Sequence, residues 1–273
     1  MIATEGYGTH PTVELGCGQW WCTFNYDSVI SSLLAIVLTL VIAFWLRSRL
    51  RDGPPTRTQA IFELGYDQVR GLIKDIVAED AMFIVPIAMT LFLYILIANY
   101  LELLPLGFIN QLLHLPGEVI HGPNADWNQT LAMALVVIVV ILWYGLRILG
   151  LKGFLLRFTR PFELPIWARF LFIPLNILED LTKPLTLSLR LFGNIFAGTV
   201  MIALIGGFAT LSLPVLGVLA GGVIGTVLLA IWKAFDVLFI GLLQAFIFML
   251  LTIIYFGSAR EGLEHLHHQE ESR

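Results

Sequence analysis

Arg190 stands near the middle of Lys183–Ile205, KPLTLSLRLFGNIFAGTVMIALI, a stretch otherwise apolar enough to sit in a bilayer. An arginine keeps its charge in any protein environment. At the centre of a membrane helix that charge costs at least ~2.5–3.5 kcal/mol. On an α-helix its neighbours at i±3 and i±4 are Thr186, Leu187, Gly193 and Asn194, none of them acidic. The counter-charge must therefore come from farther along the helix, from another helix, from water or from another protein. Ionisable groups inside membrane spans mark ion and substrate pathways; the competing reading is a structural arginine paired within the helix bundle.

Other polar residues share the two longest hydrophobic stretches. Glu179 and Lys183 are spaced i,i+4 in the favourable order, and Asp180 and Lys183 are spaced i,i+3, so this cluster can satisfy itself. Arg190 lies about two turns beyond Lys183, and Asn194 one turn beyond Arg190. Gly193, Ala197 and Gly198 are small, so another helix could approach there. In the last stretch, Lys233 and Asp236 are spaced i,i+3 and are expected to pair. Gln244 follows Lys233 by eleven residues, which at ~100° per residue puts the two close to one helical face. Gly217, Gly221 and Gly225 form a small-residue ladder of the kind that packs helices.

The elements that must carry these residues are membrane helices. Of 273 residues, 58% are hydrophobic and 13% charged, and the net charge is −4. Mean hydropathy is +0.83. Soluble domains are about 25% charged, so a globular enzyme is excluded. Lys and Arg are missing before Arg47, between Lys74 and Arg147, and between Arg190 and Lys233. They gather at Arg47–Arg57 and Arg147–Arg169, which the positive-inside rule makes cytoplasmic loops. Basic groups that flank membrane spans give no nucleic-acid signature, and no G-x-x-x-x-G-K-[ST] loop is present.

The pattern predicts an all-α, polytopic fold: five membrane-crossing helices and one interfacial amphipathic helix, the last two crossings overlong and strongly tilted. Residues 1–27 form an extracytoplasmic segment, with Trp20 and Trp21 suited to the membrane–water interface. A single membrane domain, 28–257, follows: span 28–46, interfacial helix 58–80, spans 81–104 and 128–149, and long helices 166–206 and 214–257. In the interfacial helix Ile61, Gly65, Val69, Leu72, Ile73, Ile76 and Val77 share one face, and Glu63, Asp67, Arg70 and Lys74 another. Phe170–Ile205 would be roughly 54 Å of helix against ~30 Å of hydrocarbon, and Val215–Phe256 about 63 Å. Gly206–Pro214 is an outside turn, and residues 258–273 a cytoplasmic, solvated tail. The tail's His265, His267 and His268 could bind a metal, but a solvated tail accounts for them. Cys17 and Cys22 are either two thiols or a disulfide; their spacing does not decide.

SLRLFGN, followed by a second long helix with QAFIFMLLTIIYF, resembles subunit a of the F-type ATP synthase. Lys183–Gly198 and Gln244–Phe256 carry the resemblance, with NYLELLP at Asn99–Pro105 and NADWNQTLAMAL at Asn124–Leu135 as weaker support. The resemblance implies a membrane stator in a bacterial inner membrane, N-terminus outside and C-terminus cytoplasmic. Its implied partners are a ring of c subunits at the Arg190 face, peripheral-stalk b subunits, indirectly the catalytic head, and the bilayer. No cofactor or metal is implied, and the chain is no enzyme on its own. Protons would enter by one half-channel, ride the ring carboxylates and leave by another, with Arg190 blocking direct passage. Arg190 resembles the family's essential arginine, Asn194 and Gln244 its polar companions, and Glu179 a residue near the cytoplasmic outlet. Asn99, Glu102, Asp126 and Asn128 would line or support the inlet, each being equally readable as a helix cap or interfacial residue. Lys183 and Lys233 would be supporting charges.

Two positions depart from that pattern. Many bacterial relatives carry an ionisable residue after the glycine that is Gly198 here, and this chain has Thr199. The partner position seven before Gln244 is Val237, with Asp236 beside it. Water, Asp236 or other polar groups must then carry that part of the path. The competing functions are a secondary transporter binding an anion at Arg190, which predicts an internal repeat that is not evident, and a non-conducting scaffold.

Overall fold

The computed structural model describes residues 12–14, 23–51, 53–102, 123–159, 166–210 and 217–271. Cys17, Cys22, most of the 103–127 segment and residues 211–214 of the expected 206–214 turn lie outside the described residues, and the first part of that turn, 206–210, is helical instead. Among the described residues, seven α-helices follow a short ribbon: β1 (Thr12–Glu14), β2 (Thr23–Asn25), α1 (Tyr26–Arg49), α2 (Arg57–Ile76), α3 (Ile84–Leu101), α4 (Trp127–Thr159), α5 (Ile166–Thr210), α6 (Gly217–Phe235) and α7 (Gly241–Glu271). Asp236–Ile240, between α6 and α7, is π-helical. Among the described residues, five helical stretches are long and apolar enough to cross a membrane: Asp27–Arg49, Ile84–Leu101, Trp127–Leu155, Ile173–Gly207 and Val223–Arg260. The protein is an all-α, polytopic membrane protein, and its two longest stretches are the last two.

Several features differ from the sequence reading. The ribbon pairs Thr12 with Asn25 and Glu14 with Thr23, in a segment for which no strand was expected. Three-residue strands carry too little alternation to be read from sequence. The basic segment after Arg147 is no simple loop, because α4 runs to Thr159, broken at Gly150 (φ 64°, ψ 172°). Only glycine takes that conformation without strain. The α7 helix continues to Glu271, through the segment read as a tail. The last crossing is not uniform α-helix but is interrupted by the π segment.

The chain divides into two compact units. The first comprises Met1–Ser48, Leu93–Gln129 and Leu191–Ala245; the second comprises Arg49–Phe92, Thr130–Arg190 and Phe246–Arg273. In the first, Ala35 on α1 packs with Ile97, Ala98 and Leu101 on α3, and Leu34, Leu38, Ile42, Leu93 and Tyr94 close around them. Small residues at such contacts let helix backbones come close, where lipid removes the usual hydrophobic drive. The opposite face of α1 exposes Leu33, Val37, Leu40 and Phe44, as a lipid-facing side must.

The second unit is centred on rings. Phe83, Tyr144 and Phe256 meet at centroid separations of 5.2, 5.4 and 6.4 Å, two of the pairs edge-on. Gly257 lies so near α2 that an added Cβ would stand 2.9 Å from the Ile76 carbonyl oxygen. Helix α2 is capped by Thr56, whose Oγ1 accepts from Gln59 N at 3.3 Å. Val69, Ile73 and Val77 are buried, while Ile61 and Leu64 stay 74% and 70% exposed. The apolar stripe therefore packs at one end and is bare at the other, the distribution an interfacial helix requires.

Candidate functional site

In the first unit the polar residues are buried and tied to one another. Asp126 precedes α4, and its Oδ1 accepts from Asn128 N at 2.9 Å, capping the helix. Its Oδ2 accepts from Ser28 Oγ at 2.5 Å and from Asn25 Nδ2 at 3.3 Å. One turn along α1, Ser32 Oγ donates to Gln129 Oε1 at 2.5 Å, and Gln129 Nε2 donates to Tyr94 Oη at 2.9 Å. A second chain runs from Asn124 Nδ2 to Asn99 Oδ1 (2.9 Å) and from Asn99 Nδ2 to the Gly241 carbonyl (3.0 Å). Asn25, Ser28, Ser32, Asn124, Gln129 and Tyr94 were not singled out from the sequence. The available signal was hydroxyls one turn apart, Ser28 and Ser32, in an otherwise apolar span.

Glu102, at the end of α3, takes the ammonium of Lys233 at 3.3 Å. The expected Lys233–Asp236 pair is therefore not the one formed. A distant carboxylate reaches the ammonium, and Asp236 turns elsewhere. Asp236 is buried and packs on Gly198 of α5, where an added Cβ would stand 2.7 Å from Asp236 Oδ2. Gln244 is buried too, and among the described residues its Nε2 has no hydrogen-bond partner. The shared face inferred for Lys233 and Gln244 assumed a uniform α-helix, and the π segment removes that premise.

The charges of the second unit lie differently. Lys183 Nζ meets Asp180 Oδ1 at 2.6 Å and Glu179 Oε1 at 3.5 Å, and it sits 5.8 Å from the centroid of the Tyr255 ring. The self-satisfied cluster expected from spacing is present. Arg190 is exposed, and among the described residues no ion pair or side-chain hydrogen bond involves it. In the first unit, Asn194 is half-buried, Asn128 is exposed, and a Cβ added at Gly193 would meet nothing within 4 Å. An exposed guanidinium with no mate among the described residues, on a helix with an open small-residue position three residues on, carries a fixed positive charge.

Residues 29–257 match the family model described as ATP synthase A chain. The chain belongs to that family. Curated relatives named ATP synthase subunit a include one from Mycobacterium ulcerans (strain Agy99), 39% identical over 98% of both chains. Another, from Mycobacterium tuberculosis (strain CDC 1551 / Oshkosh), is 39% identical over 90% of this chain and 91% of the relative. A third, from Acidothermus cellulolyticus (strain ATCC 43068 / DSM 8971 / 11B), is 36% identical over 95% of this chain and 84% of the relative. Within this member of the ATP synthase A chain family, the first unit gathers Asn99, Glu102, Asp126, Lys233, Asp236 and Gln244, and the second holds Glu179, Lys183 and Arg190.

Proposed function

We propose that this chain conducts protons as the stator subunit of a rotary ATP synthase in a bacterial inner membrane. In this reading Arg190 faces carboxylates carried on a ring of c subunits. The observation that carries it is the exposed guanidinium, unpaired among the described residues, in an apolar helix of a family member. A fixed cation favours the ionised form of a carboxyl that comes near, and so lowers its pKa. Each ring carboxyl releases its proton on approach, and no proton passes Arg190 directly. The field across the membrane supplies about 2.3 kcal/mol per charge per 100 mV.

The buried polar residues of the first unit support an inlet. Glu102, Asp236 and Gln244 line it, and Asn99, Asp126 and Lys233 hold its walls. Both carboxylate oxygens of Asp126 are engaged by neighbours, which suits a fixed support better than a carrier. Asn128 contributes through its backbone N–H. Glu179 stands near the outlet and is the more exposed member of its ion cluster. Asn194 and the orphaned Gln244 amide can donate to a ring carboxyl or to water as it passes. The basic residues of the second unit put its loops in the cytoplasm, with the C-terminus there and the N-terminus outside. Peripheral-stalk b subunits and, through them, the catalytic head complete the assembly.

Arg190→Ala in the complete complex, reconstituted into vesicles, tests this. Coupled ATP synthesis should collapse while the subunits still copurify. Retained synthesis overturns the reading. Loss of assembly alone points to a scaffold, and loss of an anion flux without any ring points to a transporter.

A further inference from the structure

Asp236 lies eight residues before Gln244. In an uninterrupted α-helix that spacing leaves two side chains roughly 80° apart, while a spacing of seven brings them within roughly 20°. Val237, not Asp236, occupies the seven-residue position. The helix between them, however, is not uniform. Asp236–Ile240 is π-helical, and the Gly241 N–H donates to the Asp236 carbonyl, five residues back. A π turn holds about one residue more than an α turn. That extra residue takes up one ~100° step and returns Asp236 to the face of Gln244.

The surroundings agree. Asp236 and Gln244 are 7% and 6% exposed and Val237 is buried as well, at 3%, whereas Leu238, Phe239, Leu242 and Leu243 are exposed; what singles out Asp236 is its carboxylate's contact with Gly198. Glycine at 198 lets the carboxylate sit where it does, since a Cβ there would stand 2.7 Å from Oδ2 and move it aside. The end of the π turn is held from α3, where Asn99 Nδ2 donates to the Gly241 carbonyl. A Cβ at Gly241 would crowd Asn99 at 3.2 Å.

We infer that the π turn Asp236–Ile240, seated on Gly198 and clamped by Asn99, is a positioning device that sets Asp236 in register with Gln244 to serve as the ionisable group of the inlet. The second half of that statement rests on the function proposed above, whereas the first half is a matter of geometry alone. Asp236 takes a proton from the inlet side and passes the same proton on, so no other reactant is needed.

The experiment uses the complete complex in vesicles, with copurification of all subunits as the check on assembly. Asp236→Val should lower proton conduction on the order of 10²-fold. The exchange Asp236→Val with Val237→Asp should fail equally. Deletion of Leu238 should keep conduction within a few-fold, because a regular α-helix then sets Asp236 seven residues before the glutamine. In parallel, Gly198→Cys is paired with Asp236→Cys or with Val237→Cys, after Cys17→Ser and Cys22→Ser. Oxidation should cross-link the 198–236 pair and leave the 198–237 pair reduced. The register inference is overturned if the exchange conducts like the unaltered chain, if the assembled Leu238 deletion is as impaired as Asp236→Val, or if the 198–237 pair cross-links preferentially. Normal conduction by Asp236→Val together with preferential 198–236 cross-linking overturns instead the relay role of Asp236.

Discussion

The two units bury different polar groups: the first encloses carboxylates and amides, the second the Gln59 amide and the hydroxyls of Thr130, Ser188 and Thr252. In the first, Asp27, Ser28, Asn99, Asn124, Asp126, Asp236 and Gln244 are all enclosed; Ser28 and Asn25 donate to the Asp126 carboxylate, and the Asn124 amide donates to that of Asn99. The second has exposed partners in its Lys74–Glu79 and Arg260–Asp80 pairs, a more enclosed Lys183–Asp180 pair, and a packed cluster of Phe83, Tyr144 and Phe256. Among the described residues every Lys and Arg except Arg47 and Lys233 belongs to the second unit. A buried acid that must gain and lose a proton needs small polar neighbours and few fixed cations. Among the described residues the basic side chains thus fall mainly in the second unit and the buried carboxylates in the first.

This contrast is broken most directly by neutralising one acid in each unit. Asp236→Asn should cut proton conduction on the order of 10²-fold, and Glu179→Gln far less, because an exposed carboxylate beside Lys183 is easily replaced by water. Equal losses, measured as dye quenching in vesicles, would abolish the distinction. A smaller effect sharpens it. Glu102→Gln and Lys233→Met should each destabilise the complex, and the double replacement should recover part of the loss, with a coupling of roughly 0.5–3 kcal/mol. Thermal denaturation of the four variants gives the cycle, and strict additivity would mean that the pair does not interact. The smallest effect belongs to Lys74 and Glu79. Their hydrogen bond pulls the Glu79 carboxyl below its ordinary pKa and lifts that of Lys74. Whatever the pair contributes is present above the unfolded pKa of Glu79 and is lost as pH falls through its lowered folded value. At the alkaline end it is lost as pH rises through the raised value of Lys74. Both groups are fully exposed, so Glu79→Gln should leave the melting temperature unchanged near neutral pH.

The large features were legible because they depend on composition over whole turns. Uncharged runs of some twenty residues mark the crossings, and four neighbours that carry no acid show that Arg190 has no ion pair within one turn of its own helix. What escaped depends on single distances. Lys233 has an acid three residues on, but Glu102 reaches it from 131 residues away in sequence. The helical wheel used for Lys233 and Gln244 assumed one pitch throughout, and a single π turn changes every phase beyond it. The acid that looked displaced by one position is carried back by the backbone. Ser28, Ser32 and Gln129 read as ordinary interruptions of apolar spans until α1 and α4 are seen to share them.

Gly150 carries a consequence of its own. With φ at 64° and ψ at 172°, it occupies a region that side-chain-bearing residues reach only at a cost of about 1–3 kcal/mol. Any missense change of that codon thus sets up a contest between the corner and a straight rod. The arm bearing Lys152 and Arg157 would be redirected, rather than merely loosened, whenever the rod wins.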